Sequence, residues 1–183
     1  MGLMSLNVAN RQKLIALHLL FYGAFLTVRS AFWDMPTFFT LVFAALLIWV
    51  SVVDCERREI PDTASATIFV SGGLYSWISG VDLATRFWGA MMWAALFYGV
   101  GIIYLRLRGQ DGLGFGDVKL IAGLAMWLGF ADTNFAVLSA ALCGVAMIVV
   151  TQQAQSRSFE NIAQTAVAFG PFLCLSAWAN WLF

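Results

Sequence analysis

Two aspartates, Asp54 and Asp117, stand at the boundaries of apolar runs, and both could do chemistry. Asp54 follows the apolar run 41–53, and Asp117 precedes the apolar run that starts at Val118. A carboxylate at the edge of hydrocarbon is costly, so each one is a functional candidate. If helices of one bundle bring them together, one can take a proton from water while the other donates a proton to a peptide carbonyl. Such a pair shares a proton, because two carboxylates a few ångströms apart do not both ionise cheaply.

Each aspartate also has a purely structural interpretation. Asp117 could cap a helix N-terminus, and both carboxylates could face lipid headgroups. The residues in front of Asp117 favour more than capping, because Gly112, Gly114 and Gly116 alternate and let the backbone approach another chain closely. We predict that these glycines form an extended strand that binds the backbone of a peptide substrate. A flexible hinge is the alternative.

Five further residues are predicted to support the two aspartates. Pro61 indicates a break between two helices, and Asp62 is a candidate helix cap or substrate-positioning residue. Lys119 either interacts with the nearby aspartate or extends to the headgroups. Gly170 and Pro171 lie inside the last apolar run, where a Gly-Pro step frees backbone groups that neighbouring helices must satisfy.

The composition excludes a soluble domain and gives no sign of nucleic-acid binding. Apolar residues make up 61% of the 183 residues and charged residues only 11%, with a mean hydropathy of +0.82, whereas soluble domains carry about 25% charged residues. Ten basic residues balance ten acidic ones, with no basic run. The three cysteines, Cys55, Cys143 and Cys174, are far apart, so we predict no metal site.

The apolar runs predict an all-α, polytopic transmembrane helix bundle that forms a single domain over residues 1–183. Seven candidate spans lie near 13–31, 37–54, 63–79, 84–105, 118–131, 134–151 and 161–182, the fifth being short. Eight of the ten basic residues then share the side of the N-terminus, and only Arg29 and Arg86 lie on the other side. The excess of positive charge makes the N-terminal side cytoplasmic.

Three sequence blocks resemble those of the type IV prepilin peptidase family, intramembrane aspartic proteases of the G-x-G-D class. The first is Asp54 with the I-P-D of 60–62, and the second is the D-G-L-G-F-G-D-V-K-L of 111–120. The third is the F-G-P-F-L of 169–173, with Ala168 where the family commonly has a proline. Together the blocks extend over nearly the whole predicted bundle.

The resemblance implies that Asp54 and Asp117 are the catalytic pair of a prepilin leader peptidase. Its substrates would be prepilin or pseudopilin precursors of type IV pili and protein secretion, with a short basic leader ahead of a hydrophobic helix. Cleavage would follow a glycine at the cytosolic face of the bacterial cytoplasmic membrane, where the enzyme is a multi-pass protein. The chain resembles the short form, which lacks an N-terminal cysteine-rich insert.

Proteolysis of this kind needs no cofactor. Long members of the family also methylate the new N-terminus, so S-adenosylmethionine would be required only if methyltransferase activity is retained here. Two alternatives to an active peptidase are an ion- or proton-coupled transporter and an inactive peptidase homologue. A transporter predicts carboxylates near the bilayer midplane and an internal repeat, and the sequence shows neither. An inactive homologue is disfavoured because both aspartates are present.

Overall fold

Helices make up the described part of the chain, and no strand occurs within it. The structure, a computed structural model, describes residues 12–13, 15–20, 22–24, 37–109, 114–155 and 168–182. The helices are α1 (Ile15–Ala24), α2 (Thr37–Arg57), α3 (Asp62–Ile78), α4 (Leu83–Arg108), α5 (Phe115–Leu128), α6 (Phe130–Gln155) and α7 (Gly170–Leu182). The predicted all-α bundle is therefore confirmed.

Three of these helices are long and apolar enough to cross a membrane. The segments Phe38–Arg57, Leu83–Arg108 and Phe130–Val150 contain 20, 26 and 21 residues, and about 20 apolar residues cross the hydrocarbon of a bilayer. Helices α4 and α6 expose many large apolar side chains, as lipid-facing helices do. The chain is thus a helical membrane bundle, whereas seven complete spans and a cytoplasmic N-terminus stay predictions.

Helix α5 forms the centre of the bundle. It contacts α3, α4, α6 and α7, and its residues 120–128 are all buried. With 14 residues it is only about 21 Å long, so it ends short of the full hydrocarbon thickness. As the sequence predicts, the fifth helix is short, but it starts three residues earlier than 118 and ends at Leu128, because Gly129 adopts φ +91°.

Glycines let α3 and α5 approach each other closely. A Cβ atom on Gly123 of α5 would lie 2.9 Å from Ile68 Cγ2, and one on Gly72 of α3 would lie 2.7 Å from Trp127 Cδ1. The Trp127 indole N–H also donates a 2.9 Å hydrogen bond to the Ile68 carbonyl. Close backbone approach at small residues is the main source of packing between membrane helices. The α3–α5 pair is therefore the tightest framework on which a site can be built.

Side chains bind the backbone at the end of α5 and at the start of α4. The Arg86 guanidinium donates a 2.8 Å hydrogen bond to the Trp127 carbonyl, in the last turn of α5. Asp82 caps α4 by accepting from the amides of Ala84 and Thr85. Each contact satisfies backbone groups that a helix end leaves without intrahelical partners.

Two predicted helix breaks lie at helix starts. Pro61 is the N-cap of α3 and Asp62 is its first helical residue, so the prediction that Asp62 is the cap is wrong. Proline suits this place because its fixed φ leads directly into the helix. The Gly-Pro step likewise lies at a helix start, since α7 begins at Gly170. Pro171 is then the second helical residue, where a missing N–H costs nothing.

We predict that Gly123→Ala destabilises the protein by about 1–3 kcal/mol, because the new methyl group overpacks the α3–α5 contact. Gly99→Ala is the matched control, since no atom lies within 4 Å of a Cβ there and alanine favours a helix by about 0.5–1 kcal/mol. Thermal unfolding of both variants in detergent measures the difference. Equal melting temperatures would contradict the close approach of the two helices.

Candidate active site

Asp54 lies in the last turn of α2 and is held by the start of α7. Its side chain is 5% exposed, and its Oδ2 accepts a 3.0 Å hydrogen bond from the backbone N–H of Gly170. Gly170 is the first residue of α7, and a helix N-terminus stabilises negative charge. A Cβ atom at position 170 would lie 2.6 Å from this oxygen. Only glycine therefore fits beside the carboxylate.

Asp117 lies in the first turn of α5 and is half-buried. The N-cap is Gly114, with extended φ −65° and ψ 137°, so the interpretation of Asp117 as the cap is wrong. The Asp117 carboxylate nevertheless accepts a hydrogen bond from the backbone of Gly114, and the Asp117 N–H donates to the Gly114 carbonyl at 3.0 Å. This reciprocal arrangement resembles a capping box. Each aspartate is thus held by a backbone amide at a helix start.

The fold brings the two carboxylates within range of electrostatic interaction. The charge on Asp54 acts on Asp117, and both carboxylates act on the thiol of Cys174. Cys174 is fully buried in α7, one turn beyond Gly170. The sequence did not single out this cysteine, although its spacing of four residues from Gly170 places it on the same face of the helix. Helices α2, α5 and α7 therefore meet at one site.

A small polar cluster lies beside this meeting point. The Ser51 hydroxyl, one turn before Asp54 on α2, is within interaction range of the Tyr22 hydroxyl and the Cys174 thiol. All three side chains are buried. The sequence does not predict this cluster, because single Ser and Tyr residues within apolar runs show no recognisable spacing.

The predicted glycine strand is only partly present. Gly114 is extended, but Gly116 lies inside α5, so the prediction of a strand is wrong for Gly116. A Cβ atom on Gly116 would lie 3.0 Å from Ile60 Cβ, which shows that this glycine admits the loop between α2 and α3. Gly112 lies outside the described residues. Gly114 thus caps α5, and Gly116 allows close packing against Ile60.

Lys119 has a partner that the sequence did not suggest. Its Nζ lies 2.6 Å from Asp62 Oδ1 and 4.6 Å from the centroid of the Phe115 ring. The ion pair joins the start of α3 to the first turn of α5. Of the predicted site residues, the structure therefore brings together Asp54 with Gly170, and Asp62 with Lys119.

A pocket of about 280 Å³ lies behind the loop between α2 and α3. Its lining consists of Val53, Arg57, Glu59, Ile60, Pro61 and Asp62. Within the described ranges, no three His, Cys, Asp or Glu side chains form a group that could hold a metal ion. The site thus combines two interacting carboxylates with a nearby small pocket that polar and apolar side chains line together.

Comparison with known proteins assigns the chain to a family. The sequence model of the type IV leader peptidase family matches residues 41–149, which include both aspartates. The prepilin leader peptidase/N-methyltransferase of Neisseria gonorrhoeae is 29% identical over 147 residues, covering 80% of this chain and 49% of the relative. The enzyme of that name from Escherichia coli K12 is 27% identical over 182 residues, covering 93% of this chain and 76% of the relative.

A shorter relative is covered more fully. Leader peptidase HopD of Escherichia coli is 30% identical over 144 residues, which cover 74% of this chain and 86% of the relative. The chain spans about half the length of the Neisseria and Aeromonas relatives that it matches. No solved structure matches it significantly. The matched region and its apolar helices identify a membrane protein, and this chain belongs to the type IV leader peptidase family.

Proposed function

We propose that this protein is a membrane-embedded aspartic endopeptidase that removes the leader from prepilin-like precursors. The observation that carries the proposal is the approach of Asp54 and Asp117, on separate helices, to within range of electrostatic interaction. The relatives' names add leader peptidase activity on prepilins. Burial of a carboxylate costs free energy unless the group is fully paired. Buried carboxylates in a membrane protein therefore indicate a function, and catalysis explains the presence of both.

The dyad works by general acid–base catalysis. One ionised carboxylate accepts a proton from a water molecule, whose oxygen bonds to the carbonyl carbon of the scissile peptide. The other, protonated carboxyl donates its proton to the carbonyl oxygen, which gives a tetrahedral intermediate. The intermediate collapses as the C–N bond breaks: the first carboxyl donates its proton to the leaving amine nitrogen, and the second carboxylate takes a proton from a hydroxyl of the intermediate, which restores the dyad. The amides of Gly170 and Gly114 hold the two carboxylates in orientation.

We place the cleavage at the cytosolic face of the bacterial cytoplasmic membrane, after a glycine of the precursor. The charge distribution supports this side, because Arg57 and Arg58 lie one turn after Asp54, and Arg106 and Arg108 lie in the last turn of α4. Positive charge concentrates on the cytoplasmic side of membrane proteins. The substrate's hydrophobic helix would lie in the bilayer, with its basic leader in the cytosol.

Gly114 is the described glycine best suited to contact the substrate backbone. It is exposed and extended, and it immediately precedes the helix that carries Asp117. A peptide aligned there by strand addition would pass the Asp117 carboxylate, which is hydrogen-bonded to the backbone of Gly114. We propose Gly114, together with Gly112, as the substrate-binding part of the glycine run.

N-methylation is a separate activity in the names of several relatives. The described pocket does not fit S-adenosylmethionine. Its volume of about 280 Å³ lies at the low end of ligand sites, which span roughly 300–1,000 Å³, and its lining contains no aromatic ring to cover an adenine. We therefore assign no methyl-transfer step to these residues.

We predict that Asp54→Asn and Asp117→Asn each lower cleavage of a prepilin by at least about 10²-fold, because neither amide can exchange a proton as the dyad requires. Asp82→Asn is the matched control, since asparagine caps a helix as well as aspartate does and Asp82 lies at the far end of the bundle. Mass spectrometry of the pilin N-terminus in membranes measures cleavage. Processing at the wild-type rate by either dyad variant would refute the assignment.

We also predict that Gly170→Ala strongly reduces cleavage. The new methyl group would lie 2.6 Å from Asp54 Oδ2, and displacement of a catalytic group by about 1 Å can cost about 10²-fold in rate. Gly144→Ala is the control, because its Cβ would meet only Phe169 Cδ2 at 4.0 Å. The same cleavage assay applies to purified, folded protein. Full activity of Gly170→Ala would show that the amide of residue 170 does not position Asp54.

A further inference from the structure

The loop between α2 and α3 connects the two carboxylates by a short path. It begins where the Arg58 N–H donates a 2.8 Å hydrogen bond to the Asp54 carbonyl, with Arg58 at φ 55°. Two residues later, Ile60 packs on Gly116, the neighbour of Asp117 in sequence. The loop therefore starts at one catalytic residue and rests beside the other.

An ion pair fixes the end of this loop. Asp62 Oδ1 lies 2.6 Å from Lys119 Nζ, two residues beyond Asp117, and the Phe115 ring lies against the lysine. The side chains of Asp62 and Lys119 are 75% and 34% exposed, and exposed ion pairs contribute little to stability. The consequence of this pair is thus geometric, because it holds the loop against the first turn of α5.

The pocket that this loop lines gives its contacts with α5 a larger share in holding the loop in place. The cavity of about 280 Å³ is lined by residues 59–62 on the loop side and by Val53 and Arg57 on the α2 side. If the loop were packed tightly on both sides, all of its neighbours would restrict its position. Since one side of the loop faces a cavity, the contacts with α5 are the ones that determine where it lies.

We propose that Ile60, Asp62 and Lys119 form a loop anchor that sets the separation of Asp54 and Asp117. These three are positioning residues, which act on the carboxylates through the loop and the first turn of α5. The proposal rests on the proposed peptidase function for its effect on rate. The separation itself is a property of the folded chain and can be measured without a substrate.

The kinetic test compares variants of the ion pair. Lys119→Met and Asp62→Ala should lower kcat about tenfold or more while KM changes little, since a misplaced dyad affects the chemical step. Asp62→Asn should retain most of the activity because its amide oxygen still accepts from the lysine. The exchange of both charges, Asp62→Lys with Lys119→Asp, should recover part of kcat. The control Asp82→Ala removes a helix cap at the far end and should lower stability without lowering kcat.

The second test measures the separation directly. Asp54→Cys and Asp117→Cys are combined in a chain whose native cysteines are replaced by alanine, and a short bifunctional thiol reagent cross-links them. Adding Lys119→Met should lower the cross-linking yield, whereas adding Asp82→Ala should leave it unchanged. An unchanged yield and an unchanged kcat in Lys119→Met would overturn the loop anchor. If the wild-type protein cleaves no precursor while the yield still depends on Lys119, the anchor holds and the peptidase proposal fails.

Discussion

The close approach of α3 and α5 is the constraint on which the rest of the structure depends. Asp117 lies at the start of α5, so the packing of α5 determines the position of this carboxylate. Gly72 and Gly123 remove the side chains that would separate the two helices, and Trp127 ties them with a hydrogen bond to Ile68. Because α5 is buried on all sides by other helices, it cannot shift without disturbing the whole core.

Asp54 is held at the site by two helices outside the α3–α5 pair. It is carried by α2, and its carboxylate meets the first amide of α7 rather than a side chain. A buried carboxylate needs donors to offset the loss of water, and the first amides of a helix are free to donate. The two aspartates therefore use the same solution, a backbone amide at a helix start, supplied by α7 for one and by α5 for the other.

The sequence was sufficient to predict the helical membrane bundle and to single out two aspartates, whose catalytic role stays a prediction. Long apolar runs have one stable structure in lipid, and α2 begins at residue 37 as predicted. The fifth helix was misplaced by three residues because its start depends on the conformation of Gly114, which apolar periodicity does not report. Asp54 and Asp117 could be paired because one ends and the other begins an apolar run on the same predicted side of the membrane.

The details of the site could not be obtained in the same way. The donor to Asp54 is a backbone N–H, which has no residue type of its own, so the sequence predicts Gly170 as a supporting residue but not as this donor. Gly116 was assigned to a strand because alternating glycines permit several conformations, and packing against Ile60 decides among them. The partner of Lys119 depends on how two helix starts meet, and a single sequence does not contain that distance.

The most direct test of the central claim is mass spectrometry of a prepilin incubated with the purified protein in liposomes. The account predicts two fragments whose masses sum to that of the precursor plus one water, with the leader ending in glycine, in the absence of any added metal or cofactor. A relative with known prepilin peptidase activity, run in parallel, confirms that the precursor is cleavable. An intact precursor after incubation with this protein, alongside complete cleavage by the relative, would contradict the account.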